Sequence, residues 1–236
     1  MKDKSRNSGI VKAKRPIDAR QQREPKPTAV IFDLDGVIVH TDKFHYLAWK
    51  KLADRLGVAF DEQVNNRLRG VSRMESLQIV VENSEFAHLT AMEREYLADE
   101  KNETYKGYLQ TMTPDDLAPA VADTLDALRE RGYLLAIGSS SRNAGLILEK
   151  IGLRGYFDAV SDGNNISRSK PDPEVFLKAA EYLGCKPEEC VVVEDADAGV
   201  EAAHNAGMRA VAMGDAVLHG NGEWNIEALE ELLGIF

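Results

Sequence analysis

Apolar positions follow two rhythms along the chain. Unbroken apolar runs occur at 29–32, 133–137, 190–193 and 210–213, with a further short strand segment at 157–160 that Asp158 interrupts. Runs of this length predict strands buried on both faces of a parallel sheet. Elsewhere apolar residues recur at steps of three and four. Phe44, Leu47, Ala48 and Leu52, with Trp49 on the flank, predict an amphipathic helix over 42–56 that Gly57 ends. Val64 to Leu68 form a short second helix, closed by Gly70. Ser72 with Glu75, and Thr90 with Glu93, read as capping boxes opening a third and a fourth helix, the fourth running towards Leu109. No strand pattern interrupts residues 41–110. Further helices are predicted over 121–128, over 143–151, from Asp172-Pro173-Glu174 to Leu183, over 198–206 with Asp197 as cap, and over 226–233.

Strands alternating with helices predict an α/β fold whose parallel, doubly wound, Rossmann-like sheet is covered on both faces. Residues 41–110 then form a helical cap inserted between the first strand and the rest of the sheet. The expected division is a basic tail over 1–27, an α/β core from 28–40 and 111–236, and the cap over 41–110. There are no internal repeats.

Charge sharpens that division. Residues 1–26 carry nine Lys/Arg against three acids, a net of +6, which leaves the remainder at −16. A basic, apolar-poor tail cannot bury enough surface to fold alone. The acidic body argues against nucleic acid as the main ligand. At 44% hydrophobic and 29% charged residues, the whole chain is ordinary in composition for a soluble protein. No apolar run is long enough to span a bilayer, and no basic-then-apolar signal opens the chain. Cys185 and Cys190 alone define neither a metal site nor a disulfide framework, and they read as small residues at a helix-to-strand junction. The expectation is a cytoplasmic monomer with small-molecule partners, engaging neither membrane nor nucleic acid.

Candidate chemistry collects at the strand ends. Asp33 and Asp35 follow the first strand, two residues apart, with Leu34 pointing away between them and Gly36 breaking the backbone. Ser139, Ser140 and Ser141 follow the second, Lys170 lies in the loop after the third, and Glu194 and Asp195 end the fourth. Each piece alone reads equally well as a turn, a helix cap or a solvated loop. In a parallel sheet, however, the carboxyl ends of the strands line one edge, where ligands bind. Acids, a hydroxyl and a lysine facing one pocket suggest Mg2+ and a phosphate. Backbone N–H groups of the helix entered at Ser141–Asn143 would add to the anion site.

Taken in order, DLDGV (33–37), SSS (139–141), SKPDP (169–173) and VEDADAG (193–199) resemble the four motifs of the haloacid dehalogenase superfamily of phosphotransferases. The resemblance extends to its β-phosphoglucomutase subgroup through Thr41, Phe44-His45, Ala48-Trp49-Lys50, Leu68 to Arg73, Ser76 to Gln78, Lys101-Asn102, Ser141 to Asn143 and Gly155 to Ala159. It covers nearly all of 28–236.

That resemblance implies roles. Asp33 would be the nucleophile that becomes an aspartyl phosphate, after metal and lysine have neutralised the charge of the phosphate. Asp35 would be the general acid/base, with its backbone carbonyl also on Mg2+. Asp33 and Asp195 would be metal ligands, with Glu194 a ligand or a support behind them. Ser139 and Lys170 would hold the phosphoryl oxygens. Gly70, Val71, Ser72, Arg73 and Ser76 match a substrate-contacting loop, with Arg73 as a clamp for the distal phosphate. Ser140, Ser141, Arg142 and Asn143 match contacts to that phosphate and the sugar. Thr41 sits at the hinge, His45 and Lys101 match a pair linking substrate binding to closure, and Trp49 is either a sugar contact or a core anchor of the cap.

The implied reaction interconverts β-glucose 1-phosphate and glucose 6-phosphate through glucose 1,6-bisphosphate. The sequence departs from the subgroup at His40, where aspartate is usual, at Arg69 and Arg142, where lysine is, and at Ala196, where serine is frequent. Three other readings stay open at this point: a phosphatase on the same core, a related mutase acting on another hexose or disaccharide 1-phosphate, and a catalytically inactive scaffold.

Overall fold

The computed structural model describes residues 27–68 and 71–236. All but the last residue of the expected tail, together with Arg69 and Gly70, lies outside the described residues.

The first strand, β1 (Ala29–Phe32), has four fully buried apolar side chains. Four helices follow before another strand forms: α1 (Asp42–Leu56), α2 (Glu62–Asn66), α3 (Arg73–Val81) and α4 (Ala91–Leu109). Then come α5 (Pro119–Glu130), β2 (Leu134–Gly138), α6 (Ala144–Lys150), β3 (Ala159–Ser161), α7 (Glu174–Leu183), β4 (Cys190–Glu194), α8 (Asp197–Asn205), β5 (Arg209–Ala212), β6 (Trp224–Asn225) and α9 (Leu232–Ile235). The six strands form one parallel sheet in the order β3-β2-β1-β4-β5-β6. β1 is central, with Phe32 level with Ile137 on one side and Val193 on the other.

The alternation of side chains along a strand explains the unbroken runs. Val30 and Phe32 join Leu135, Ile137, Val191 and Val193 in a core closed by α5, α6 and α9. Ala29 and Ile31 join Ala136 and Val192 in a second core closed by α7 and α8. A third cluster lies within the helical insertion: Trp49, Leu52 and Ala53 of α1, Leu77, Val80 and Val81 of α3, and Leu97 and Ala98 of α4, with Phe60. The insertion is not cleanly separate. Phe44 and Ala48 of α1, and Tyr105 and Leu109 of α4, belong to the first sheet core. Both capping boxes form as expected, at Ser72/Glu75 and Thr90/Glu93.

Several boundaries differ from expectation, each for a local reason. The second helix begins at Glu62, because Asp61 caps it by accepting from Val64 N at 2.9 Å. α7 begins at Glu174 with Pro173 in the cap position, and Asp172 accepts from Glu174 N at 3.0 Å. Ala196, not Asp197, precedes α8, and the Asp197 carboxylate instead meets His219 Nδ1 at 2.7 Å. The predicted helix over 226–233 gives way to a 3-10 turn at Leu229–Glu231 and the short α9, with β6 just before it on the sheet edge. Glu231 accepts from the N–H groups of both Glu227 and Ala228, at 2.9 and 3.0 Å, which holds that helix back until residue 232. Among the described residues no helix is long and apolar enough to cross a membrane.

The sheet and α7 meet at closest range where β2 ends. A Cβ built on Gly138 would lie 2.6 Å from Phe176 Cδ1. Gly138→Ala should therefore lower stability by about 1–3 kcal/mol in urea unfolding, as overpacked cores do. Adding Phe176→Leu to the same protein should recover part of that loss, and an unchanged midpoint in the single variant would contradict this packing.

Candidate active site

The site begins where β1 stops. Asp33 N donates to Val193 O at 2.9 Å, so the sheet register carries one residue past the strand. The chain then doubles back: Gly36 N donates to Val39 O at 2.8 Å, and Ile38 and Val39 both donate to Leu34 O. This turn buries Leu34 completely, and Asp33 and Asp35 both feel the charge of Lys170. Gly36 has φ 92°, and a Cβ there would fall 2.0 Å from Asp195 Oδ2. Only glycine allows this backbone conformation and this close approach of the β1 and β4 loops.

Lys170 reaches back to the same place. Its Nζ donates to Asp33 Oδ1 and to Glu194 Oε1, both at 2.5 Å, and lies 4.7 Å from the centre of the Phe176 ring. Glu194 Oε2 accepts from Ala196 N at 2.8 Å. Both oxygens of Glu194 are thus engaged, so its geometry makes it the anchor of Lys170 rather than a free metal ligand. Burial by itself would lower the pKa of Lys170, but the carboxylates of Asp33 and Glu194 outweigh it and keep the ammonium charged.

Negative charge exceeds positive here. Burial pushes the Asp33 carboxyl up, and Lys170 offsets only part of this against Glu194 and Asp35. Asp195 is raised by burial, by Glu194 and by Asp33. Burial brings Asp35 up to about 6 despite the bond it accepts from Thr41. Four acids around one lysine are a set of hard oxygen donors short of positive charge, which suits a divalent cation such as Mg2+. Asp33 and Asp195 are the side chains with oxygens to offer. Among the described residues no three acid, His or Cys side chains form a closed cage.

At the end of β2, Ser139 N donates to Ser161 O at 3.0 Å. Ser139 Oγ accepts from Ser141 N at 3.1 Å, and Ser141 Oγ accepts from Asn143 N at 3.2 Å. Two of the N–H groups expected to receive an anion are therefore already satisfied, whereas among the described residues nothing accepts the Ser139 hydroxyl proton. Ser140 Oγ is buried with no partner among the described residues.

The helical insertion reaches the acids through a chain of contacts. Thr41, fully buried, donates to Asp35 Oδ1 and accepts from Tyr105 Oη at 3.0 Å. The Tyr105 and His45 rings lie 4.0 Å apart, and Lys101 Nζ is 2.9 Å from His45 Nδ1. Burial and the neighbouring Lys101 hold the His45 pKa well below its usual value, so its neutral ring accepts from the ammonium. Burial and Arg73 bring Lys101 down to about 7, although Asp35 pulls the other way. Tyr105 carried no motif and was missed in the sequence; its one signal is its place one turn after Lys101 on the buried stripe of α4.

Arg73, at the start of α3, lies 3.4 Å from Asp99 and feels the charge of Arg142 across the cleft. Asn143 Nδ2 donates to Asn102 Oδ1 at 2.9 Å, joining two stretches that the resemblance named separately. Ser72 uses its hydroxyl as the α3 cap, accepting from Glu75 N at 3.2 Å. Val71 is half-buried. Trp49, 2% exposed, packs in the core of the insertion with Lys101 Nζ 4.8 Å from its ring, and Ser76 is 4% exposed. Trp49 thus takes the core-anchor position, one of the two places the sequence left open for it, and the side chain of Ser76 is buried as well.

Comparison with known proteins agrees with this geometry. A family profile for haloacid dehalogenase-like hydrolases matches residues 27–207. The β-phosphoglucomutase of Bacillus subtilis (strain 168) is 38% identical over 212 residues, covering 86% of this chain and 94% of its own. The fructose-1-phosphate phosphatase YqaB of Escherichia coli (strain K12) is 34% identical over 184 residues, covering 77% and 94%. The crystal structure of β-phosphoglucomutase from Clostridium difficile superimposes with a TM-score of 0.81 at 34% identity, covering 87% and 93%.

The raised carboxyl pKa values set the sign of a pH effect. Neutral Asp33, Asp35 and Asp195 favour the fold fully below the unfolded value of 3.8, and that contribution is lost as pH rises through the folded values. With chelator present, thermal unfolding should show stability falling from about pH 4 to about pH 8, on the order of 3 kcal/mol from Asp35 alone. Excess magnesium should remove most of the fall. A protein equally stable across that range, with or without magnesium, would mean the acids are not short of positive charge.

Proposed function

The chain belongs to the haloacid dehalogenase-like hydrolase family, and from that premise we propose that it is a magnesium-dependent mutase. It interconverts β-D-glucose 1-phosphate and glucose 6-phosphate in the cytoplasm, as a monomer, through an aspartyl phosphate and glucose 1,6-bisphosphate. The observation that carries this reading is the coupling of Asp35 to the helical insertion through Thr41 and Tyr105. An enzyme that must choose a sugar hydroxyl over water gains from tying its acid/base to the element that closes over the sugar.

Asp33 attacks the phosphoryl group with the oxygen that Lys170 does not hold. Lys170 and Ser139 keep the phosphoryl oxygens in line as the leaving oxygen departs. When bound by Asp33, Asp195 and the Asp35 carbonyl, magnesium supplies the further positive charge that lets one anion approach another. Asp35, with its pKa near 6, is available in both protonation states close to neutrality. It gives a proton to the leaving oxygen in one half-reaction and takes one from the attacking sugar hydroxyl in the other. Arg73, Arg142 and Lys101 supply positive charge for the distal phosphate, and the bisphosphate turns round between the two transfers.

A coupled assay on β-glucose 1-phosphate, with magnesium and a trace of glucose 1,6-bisphosphate, tests this by following glucose 6-phosphate and free phosphate separately. Glucose 6-phosphate should accumulate with little free phosphate, and Asp33→Asn should abolish it. Asp35→Asn should lower kcat by about 10²–10⁴-fold. Free phosphate as the main product would favour the phosphatase reading that likeness to the fructose-1-phosphate phosphatase supports.

Lys101 adds a pH signature. KM should rise as pH passes about 7, where the ammonium loses its charge. Lys101→Met should raise KM at low pH and flatten the profile, and an unaltered profile in that variant would remove Lys101 from substrate binding.

A further inference from the structure

One side-chain hydrogen bond joins α4 directly to the loop entering α6, the bond from Asn143 Nδ2 to Asn102 Oδ1. Both residues are half-buried and neither belongs to an apolar core. A bond between two amides with access to water contributes little to stability, because water offers each group an equal partner. Its surroundings suggest another use. Asn102 follows Lys101 and lies one turn beyond Asp99, which holds Arg73. Asn143 follows Arg142, and its own N–H is fixed by Ser141 Oγ at 3.2 Å. The amide pair therefore lies among the cations that the proposed function gives to the distal phosphate.

The pair also has a definite unused valence. A carboxamide offers two N–H donors and an oxygen with two lone pairs. The bond uses one donor of Asn143 and one lone pair of Asn102. Among the described residues, the Asn102 NH2 donors and the Asn143 carbonyl acceptor are left unengaged, one on the insertion and the other on the sheet domain. A hydroxyl donates and accepts at once, so a single hydroxyl can satisfy both.

We propose that Asn102 is a specificity-determining residue which, together with Asn143, reads one ring hydroxyl of the bound sugar across the interface between insertion and sheet domain. The inference rests on the sugar-phosphate reading given above. Because the two amides belong to different bodies, their combined site exists only when the insertion is closed. The hydroxyl is then a condition for closure, and a sugar phosphate lacking it leaves a donor and an acceptor unpaired in the closed cleft.

The test compares kcat/KM of the full-length protein for β-glucose 1-phosphate and for its 2-, 3- and 4-deoxy analogues. Wild type should discriminate against one analogue more than the others. Asn102→Ala should reduce that one ratio by about tenfold and leave the other two ratios as they were. Asn102→Asp keeps the acceptor for Asn143 Nδ2 but lacks the donor, and should lose the same ratio. Thermal unfolding of both variants establishes that they fold. Variants that lose activity equally on all four compounds, or keep every ratio, would overturn the inference and leave the function standing. Wild-type protein that forms no phosphoenzyme from acetyl phosphate would instead overturn the function on which the inference rests.

Discussion

The ammonium of Lys170, held between Asp33 and Glu194 in a nearly closed interior, is the interaction on which the site depends. Bringing these three charges out of water is costly, and their mutual attraction offsets the cost only if all three are placed well. The parallel register provides that placement. β1 and β4 are neighbours with Phe32 level with Val193, so Asp33 and Glu194 leave adjacent strands at the same height. Lys170, from the loop beyond β3, then bridges them. The carboxylate pinned by Ala196 N fixes the lysine, and the lysine fixes the nucleophile candidate, which leaves Asp195 on the open side.

A second chain of contacts runs at right angles to the first in its logic. Asp35 is held by Thr41, Thr41 by Tyr105, and the Tyr105 ring packs at a tilt against His45 with Lys101 over its face. Each link lies on α1, on α4 or at the start of α1, the two helices that enter and leave the insertion. A displacement of the insertion would therefore bear on the Asp35 carboxyl, whereas the Lys170 triad is built wholly from sheet loops. One carboxylate is held by the sheet alone and the other is tied to the insertion.

The fold was legible in the sequence because a strand buried on both faces must be apolar at every position, and the runs at 29–32 and 190–193 are. The strand-end residues were legible for the same reason, since a parallel sheet brings its carboxyl ends to one edge. What could not be read depends on side-chain direction. Nothing in local spacing distinguishes Glu194, turned inward to Lys170, from Asp195 beside it. Trp49 sits on the flank of an amphipathic stripe, where burial and ligand contact look alike until its neighbours are known. Tyr105 and Asn102 act across distances of 64 and 41 residues, through single hydrogen bonds that no periodicity encodes. At the C-terminus, Glu231 satisfied the backbone locally and displaced a helix that the apolar pattern alone favoured.

The sharing of α1 and α4 between two apolar clusters limits how such a protein can diversify. Phe44 and Ala48 serve the sheet core, whereas Trp49, Leu52 and Ala53, later on the same helix, serve the insertion. On α4 the division runs the other way, from Leu97 and Ala98 to Tyr105 and Leu109. A graft that exchanged the whole insertion would cut into the foundations of the sheet domain. The portion open to replacement is the distal part, from Leu52 round to Ala98, so a lineage can redesign the roof over its ligand while inheriting the two posts that carry it.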